Sequence, residues 1–146
     1  MAQDLPEADV ELEVPFYDLD PAEIVWFGNI YKYFDKARAE LMKKIDYGMV
    51  EMRESGYFWP VIESKCRHKN PMEFAERVRI NAALAEYENR LKINYIAHRL
   101  RDEERVALGH TVQVAVDIET GDMRLQSPAV LFDKLDIPES DRPDQE

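Results

Sequence analysis

Only one segment of this chain carries a long helical stripe. Ile30, Tyr33, Phe34, Ala37, Leu41 and Ile45 recur at three- and four-residue spacings, with Lys32, Lys36, Glu40, Lys43 and Lys44 between them. That period marks a helix with one buried face, predicted from Asn29, a good N-cap residue, to Asp46. Gly48 stands just past its predicted end. Nearly everything else alternates with period two, as half-buried strands do. Val10, Leu12, Val14 and Phe16 alternate with Glu11, Glu13 and Pro15. Val61–His68, Val78–Leu84, Leu91–Ala97 and Leu108–Ile118 repeat the pattern. A short second helix is expected within residues 46–55, stopped by Gly56, and a brief terminal one from Ser127-Pro128 to Leu135. Thr120-Gly121-Asp122 turns the chain, and the break at Glu88-Asn-Arg90 suits a hairpin.

One helix and about five antiparallel strands leave few arrangements. A sheet with one apolar face needs a cover, and only this helix can supply it. At about 1.5 Å per residue it spans roughly 25 Å, close to the width of five strands at about 4.8 Å each. The class is therefore α+β. A chain of 146 residues suits one domain, expected over 10–135, with 1–9 and 136–146 as flexible acidic tails.

The net charge of −11 argues against nucleic acid, which needs a basic face. Much of it sits in the tails, so the body is closer to neutral and a phosphorylated ligand remains compatible. No run approaches the ~20 apolar residues of a membrane span, and the N-terminus lacks a signal peptide's features. A single cysteine, Cys66, forms no internal disulfide and fits a reducing cytoplasm.

Chemistry concentrates where the first strand gives way to the helix. Val14-Pro-Phe-Tyr-Asp-Leu-Asp-Pro-Ala-Glu-Ile-Val-Trp-Phe-Gly-Asn29 holds an acidic pair, Asp18 and Asp20, several aromatics and a helix start. A carboxylate can act as base or nucleophile, and unpaired amides at a helix start can stabilise an oxyanion. On its own, Asp-x-Asp-Pro also makes an ordinary turn.

This stretch resembles the 4-hydroxybenzoyl-CoA thioesterase branch of the hotdog-fold acyl-CoA thioesterases. That branch carries the pattern Asp-x-x-Gly-x-Val-x-x-x-Asn-Tyr. Here it reads Asp20-Pro-Ala-Glu23-Ile-Val25-Trp-Phe-Gly-Asn29-Ile30, with Glu23 in place of the glycine and Ile30 in place of the tyrosine. The resemblance implies a hotdog fold, a curved sheet of about five strands wrapped around one central helix. It implies a homodimer or homotetramer with sites at the protomer interface, and a hydrolase of acyl-CoA needing no metal or redox cofactor.

Carried over residue by residue, Asp20 takes the place of the catalytic carboxylate. Phe27 and Gly28 supply the backbone amides facing the thioester oxygen. Glu23 and Asp35 are further candidate carboxylates, and Tyr17 and Trp26 candidate walls of an acyl pocket. Arg67, Lys69, Arg99 and Arg101 are candidate partners for the phosphates of coenzyme A. Asp18 is assigned to shaping the turn. A non-catalytic acyl- or partner-binding hotdog protein is the alternative, supported by Glu23. His68, His98 and His110 show no ligand spacing, so no metal site is expected. No histidine is expected beside the helix start, which disfavours a dehydratase.

Overall fold

A computed structural model describes residues 4–144. The elements run β1 (Glu7–Glu13), α1 (Ile30–Lys44), α2 (Met49–Glu54), β2 (Tyr57–Phe58), β3 (Val61–His68), β4 (Arg77–Glu86), β5 (Leu91–Arg99), β6 (Glu104–Gln113), β7 (Val116–Asp117) and α3 (Ala129–Lys134). Five strands form one antiparallel sheet in the order β1-β4-β5-β6-β3, and β2 pairs with β7. With α1 as the single long helix among the described residues set against that sheet, this is the hotdog architecture.

Strand alternation builds the core. Val78, Ile80, Ala82 and Leu84 of β4, and Leu91, Ile93, Tyr95 and Ala97 of β5, are buried with the stripe of α1. Phe34 stacks on Tyr95 with ring centres 4.4 Å apart and planes within 5°. Burying an apolar side chain of this size contributes about 1.5–3 kcal/mol. One continuous cluster reaches from Val14 to Ile137.

Several boundaries differ from the sequence expectation. β1 starts at Glu7 rather than Val10, because Glu7, Ala8 and Asp9 already pair with Ala83, Ala82 and Asn81. At the other end Ile137 is buried and a 3-10 turn follows at Glu139–Asp141, so the ordered chain runs past 135. α1 ends at Lys44, closed by Tyr47 N–H on the Met42 carbonyl (2.8 Å) and Asp46 N–H on Lys43 (3.0 Å). That is a Schellman closure, with Asp46 at φ +57° in the position glycine usually takes. Gly48 instead opens α2, where the Glu51 carboxylate accepts its N–H at 3.1 Å. The run expected to reach Ile118 breaks after Gln113, and Val116 and Asp117 turn away to pair with β2. α3 begins at Ala129, with Pro128 rather than Ser127 in the cap position.

Candidate active site

After β1, Val14 is fully buried, and Pro15 leads into a 3-10 turn, Phe16–Asp18. A Leu19–Val25 bridge closes the loop that follows. Within it the Asp20 N–H donates to the Ile24 carbonyl at 2.8 Å, and Asp20 Oδ1 accepts the Ala22 N–H at 2.8 Å. Glu23 stands at φ +65°. The left-handed conformation that suits glycine is thus kept with a glutamate in it.

Two contacts pin this loop to the segment after β3: Val25 N–H on the Met72 carbonyl at 2.9 Å, and an Ile24–Glu73 bridge. A cleft of about 440 Å³ opens between them, lined by Asp20, Val25, Phe27, His68, Lys69 and Met72 among others. Phe27 meets the His68 ring edge-on, with centres 6.3 Å apart.

The helix start forms one side of this cleft. A 3-10 turn, Phe27–Asn29, runs directly into α1. Among the described residues the amides of Phe27 and Gly28 have no acceptor, as expected at the first positions of a helix. They carry the positive end of the helix dipole. The Trp26 ring lies where a Cβ on Gly28 would be, so any larger residue would have to displace it. Asn29 does not cap the helix with its side chain. Its Nδ2 donates to the Asp18 carbonyl at 2.8 Å, tying the helix start to the loop instead.

Asp18 is the buried member of the acidic pair, at 2% exposure. Its carboxylate holds the Lys32 ammonium on one oxygen and accepts the Tyr33 hydroxyl on the other at 2.7 Å. Burial, then the Asp18 hydrogen bond, push the Tyr33 phenol far above its ordinary value, so it stays a neutral donor.

The other candidates scatter. Glu23 is exposed and borders a different depression, with Phe16, Leu19 and Phe74. Tyr17 and Trp26 are exposed, at 75% and 49%, and line no part of the Asp20 cleft within this chain. Asp35 pairs with Arg38 at 2.9 Å and lines a second cleft of about 430 Å³ with Met42, Met52, Trp59 and Gln113. Arg38 Nη1 and Gln113 Oε1 are buried there without a partner among the described residues.

Of the four basic candidates, Lys69 borders the Asp20 cleft and Arg67 lies on exposed β3 beside Lys65 and His110. Arg99 is buried, donating to Asp102 at 2.8 and 3.2 Å and to the Pro71 carbonyl at 3.1 Å. Arg101 pairs with Glu76 at 2.8 Å.

His68 corrects the expectation that no histidine reaches the helix start. Alternation along β3 puts it on the same side as Cys66, which packs against the core, and the loop bridge brings that strand end to Phe27. The period-two reading of β3 already contained that signal. Among the described residues no helix is long and apolar enough to cross a membrane.

Comparison with known proteins agrees with this fold. A Bacillus subtilis protein provisionally named an acyl-CoA thioesterase is 25% identical over 88 residues, covering 60% of this chain and 63% of the relative. An Aquifex aeolicus protein provisionally named an esterase is 27% identical over 73 residues, covering 50% of this chain and 57% of the relative. The chain thus spans rather less than two thirds of the length of either. The solved 1,4-dihydroxy-2-naphthoyl-CoA thioesterase of Synechocystis superposes with a TM-score of 0.79 at 15% identity, covering 94% of this chain and all of that one. The model of the thioesterase-like superfamily matches residues 14–141, and the chain belongs to that family.

Proposed function

We propose that this chain is an acyl-CoA thioesterase in which Asp20 drives attack on the thioester carbonyl and the amides of Phe27 and Gly28 take up the charge on its oxygen. The observation that carries this reading is that Asp20 and Phe27 line one cleft, where among the described residues the N–H groups of Phe27 and of its neighbour Gly28 are unpaired. With Asp20 as base, it takes a proton from water. The water oxygen bonds to the acyl carbon, the C–S bond breaks, and coenzyme A leaves as the thiolate. With Asp20 as nucleophile, an anhydride forms first and water then cleaves it.

The loop supports hydrolysis over mere binding, since Glu23 adopts a left-handed conformation open to glycine and closes the Asp20 turn with its N–H on the Asp20 carbonyl at 2.9 Å. His68, sharing the cleft with Asp20, favours one second reading, dehydration of a hydroxyacyl thioester. That reaction would appear as enoyl absorbance without thiol release.

The acyl group is assigned to the second cleft. Asp35 lies eight residues beyond Phe27, about 12 Å along the helix, too far for a short acyl group held at Asp20 of the same chain. A homodimer would bring one protomer's second cleft to its partner's Asp20. Support comes from β3, an eight-residue edge strand with Val61 and Ile62 exposed, a template for strand pairing. Cytoplasmic residence suits Cys66, whose thiol burial pushes up to about 11.

The test is thiol release from aromatic, short-chain and long-chain acyl-CoAs, with Asp20→Asn alongside. Turnover on at least one member, lowered by at least ~10²-fold in a folded Asp20→Asn protein, is expected. No turnover on any member defeats the reading, and so does an unaffected variant. Light scattering that gives a monomer defeats the shared site.

A further inference from the structure

We propose that Asp18 is a positioning residue for this hydrolysis, a clamp that holds both ends of the Asp20 loop against the first turns of α1. The inference rests on the thioesterase reading, and it assigns Asp18 more than the shaping of a turn. Four bonds converge on this one residue. The carboxylate takes Lys32 and, at 2.7 Å, the Tyr33 hydroxyl. The carbonyl accepts the Trp26 N–H at 3.0 Å and Asn29 Nδ2 at 2.8 Å.

Each partner has a distinct place. Asp18 lies two residues before Asp20, and Trp26 immediately precedes Phe27. Asn29, Lys32 and Tyr33 belong to the helix start. The position of the carboxylate relative to the Phe27 and Gly28 amides therefore runs through Asp18. A displacement of about 1 Å between such groups can cost ~10²-fold in rate. Asp18 itself lines no part of the cleft, so it acts through Asp20 rather than on substrate.

The charge matters as well as the shape. A carboxylate accepts from both Lys32 and Tyr33, and bonds to an ionised acceptor are roughly twice as strong as neutral ones. An asparagine can accept from one and must turn its NH₂ toward the other. Lys32 is 46% exposed, so on loss of the charge its ammonium can swing into water. Asp18→Asn should thus fold while the clamp loosens.

The experiment is a double-substitution cycle on the full chain, using an acyl-CoA that the wild type hydrolyses. Asp18→Asn is expected to lower kcat about tenfold, with KM changed less than about twofold. Added to Asp20→Asn, it should change the residual rate by less than about twofold, because its effect passes through Asp20. Hydrogen exchange should quicken at the amides of Asp20, Val25 and Trp26 while β4 and β5 stay protected.

An Asp18→Asn protein with wild-type kcat overturns the proposal. So does the same loss of rate in both backgrounds, which would mean independent damage. If Asp18→Asn fails to fold, Tyr33→Phe replaces it, with a several-fold fall in kcat and the same non-additivity expected. If the wild type hydrolyses no acyl-CoA, the function has failed on its own account. The exchange experiment then decides the clamp, and unchanged loop exchange defeats it.

Discussion

The Phe34 ring lies against the backbone of Gly109, where a Cβ would fall 2.7 Å from Phe34 Cε2 and into the Lys65 carbonyl oxygen. Gly109 pairs with Cys66 across β3 and β6, so that carbonyl cannot retreat without disturbing the ladder. Phe34 is also held by Tyr95, the cross-strand neighbour of Gly109 on β5, which stacks on its ring. Gly109→Ala should therefore cost about 1–3 kcal/mol through overpacking, lowering Tm by roughly 3–12 °C. A thermal melt matching the wild type would show that the helix can lift off the sheet at this point.

At Glu23 the expected sign is reversed. A non-glycine residue at φ +65° carries a cost of about 1–2 kcal/mol. Replacing it with glycine relieves that cost and loses up to ~1 kcal/mol to unfolded-chain entropy. Glu23→Gly should leave stability equal or raise it by about 1 kcal/mol. Glu23→Ala keeps the strain and removes the carboxylate, so it should move Tm little. Neither should lower thiol release more than about twofold, because Glu23 borders a different depression from Asp20. A large loss in both variants would make Glu23 a participant in the reaction.

The fold was legible because its two periods are clean. The stripe from Ile30 to Leu41 and the alternation in β4 and β5 face one another as the pattern required. Asp20 and Phe27 are ten residues or fewer from the helix start, so local reading reached them. What escaped depends on long-range contact. His68 enters the cleft through a bridge between Ile24 and Glu73, and Arg99 is absorbed by Asp102 and the Pro71 carbonyl. Asp18 and Asp20 look alike in sequence. The difference lies in which one Tyr33 and Lys32 meet across the first helical turns.

Two buried tyrosines set an alkaline limit. Burial raises both Tyr33 and Tyr95 above the ordinary 10, Tyr95 to about 12 despite the opposing Thr111 hydrogen bond. The folded chain therefore keeps protons that the unfolded chain releases above pH ~10, and stability falls as pH rises. The contribution of Tyr95 is intact below about pH 10 and gone once pH passes about 12. Each such group contributes a slope of about 1.4 kcal/mol per pH unit within its window. Urea melts from pH 8 to 11.5 should be level up to about 10 and then decline. Tyr95→Phe should remove part of that slope after its own loss of about 1 kcal/mol for the Thr111 bond. An unchanged slope in Tyr95→Phe would place the alkaline transition elsewhere.

The last expectation separates the basic residues that could meet a phosphate. Lys69 borders the Asp20 cleft, and among the described residues its ammonium has no carboxylate partner. Arg101 is also exposed, with 61% of its side chain accessible, yet it pairs with Glu76 at 2.8 Å. Arg99 is buried and fully engaged, so removing it tests stability rather than binding. A substrate phosphate would gain a new ion pair at Lys69 but would have to break one at Arg101. Exposed pairs contribute about 0.2–1 kcal/mol, so Lys69→Ala should raise KM for an acyl-CoA about 1.5- to 5-fold with kcat nearly unchanged. The effect should shrink as ionic strength rises, since salt screens exposed charges. Arg101→Ala should leave KM within experimental scatter. If instead Arg101→Ala raises KM and Lys69→Ala does not, the nucleotide lies beyond β5, away from the mouth of the Asp20 cleft.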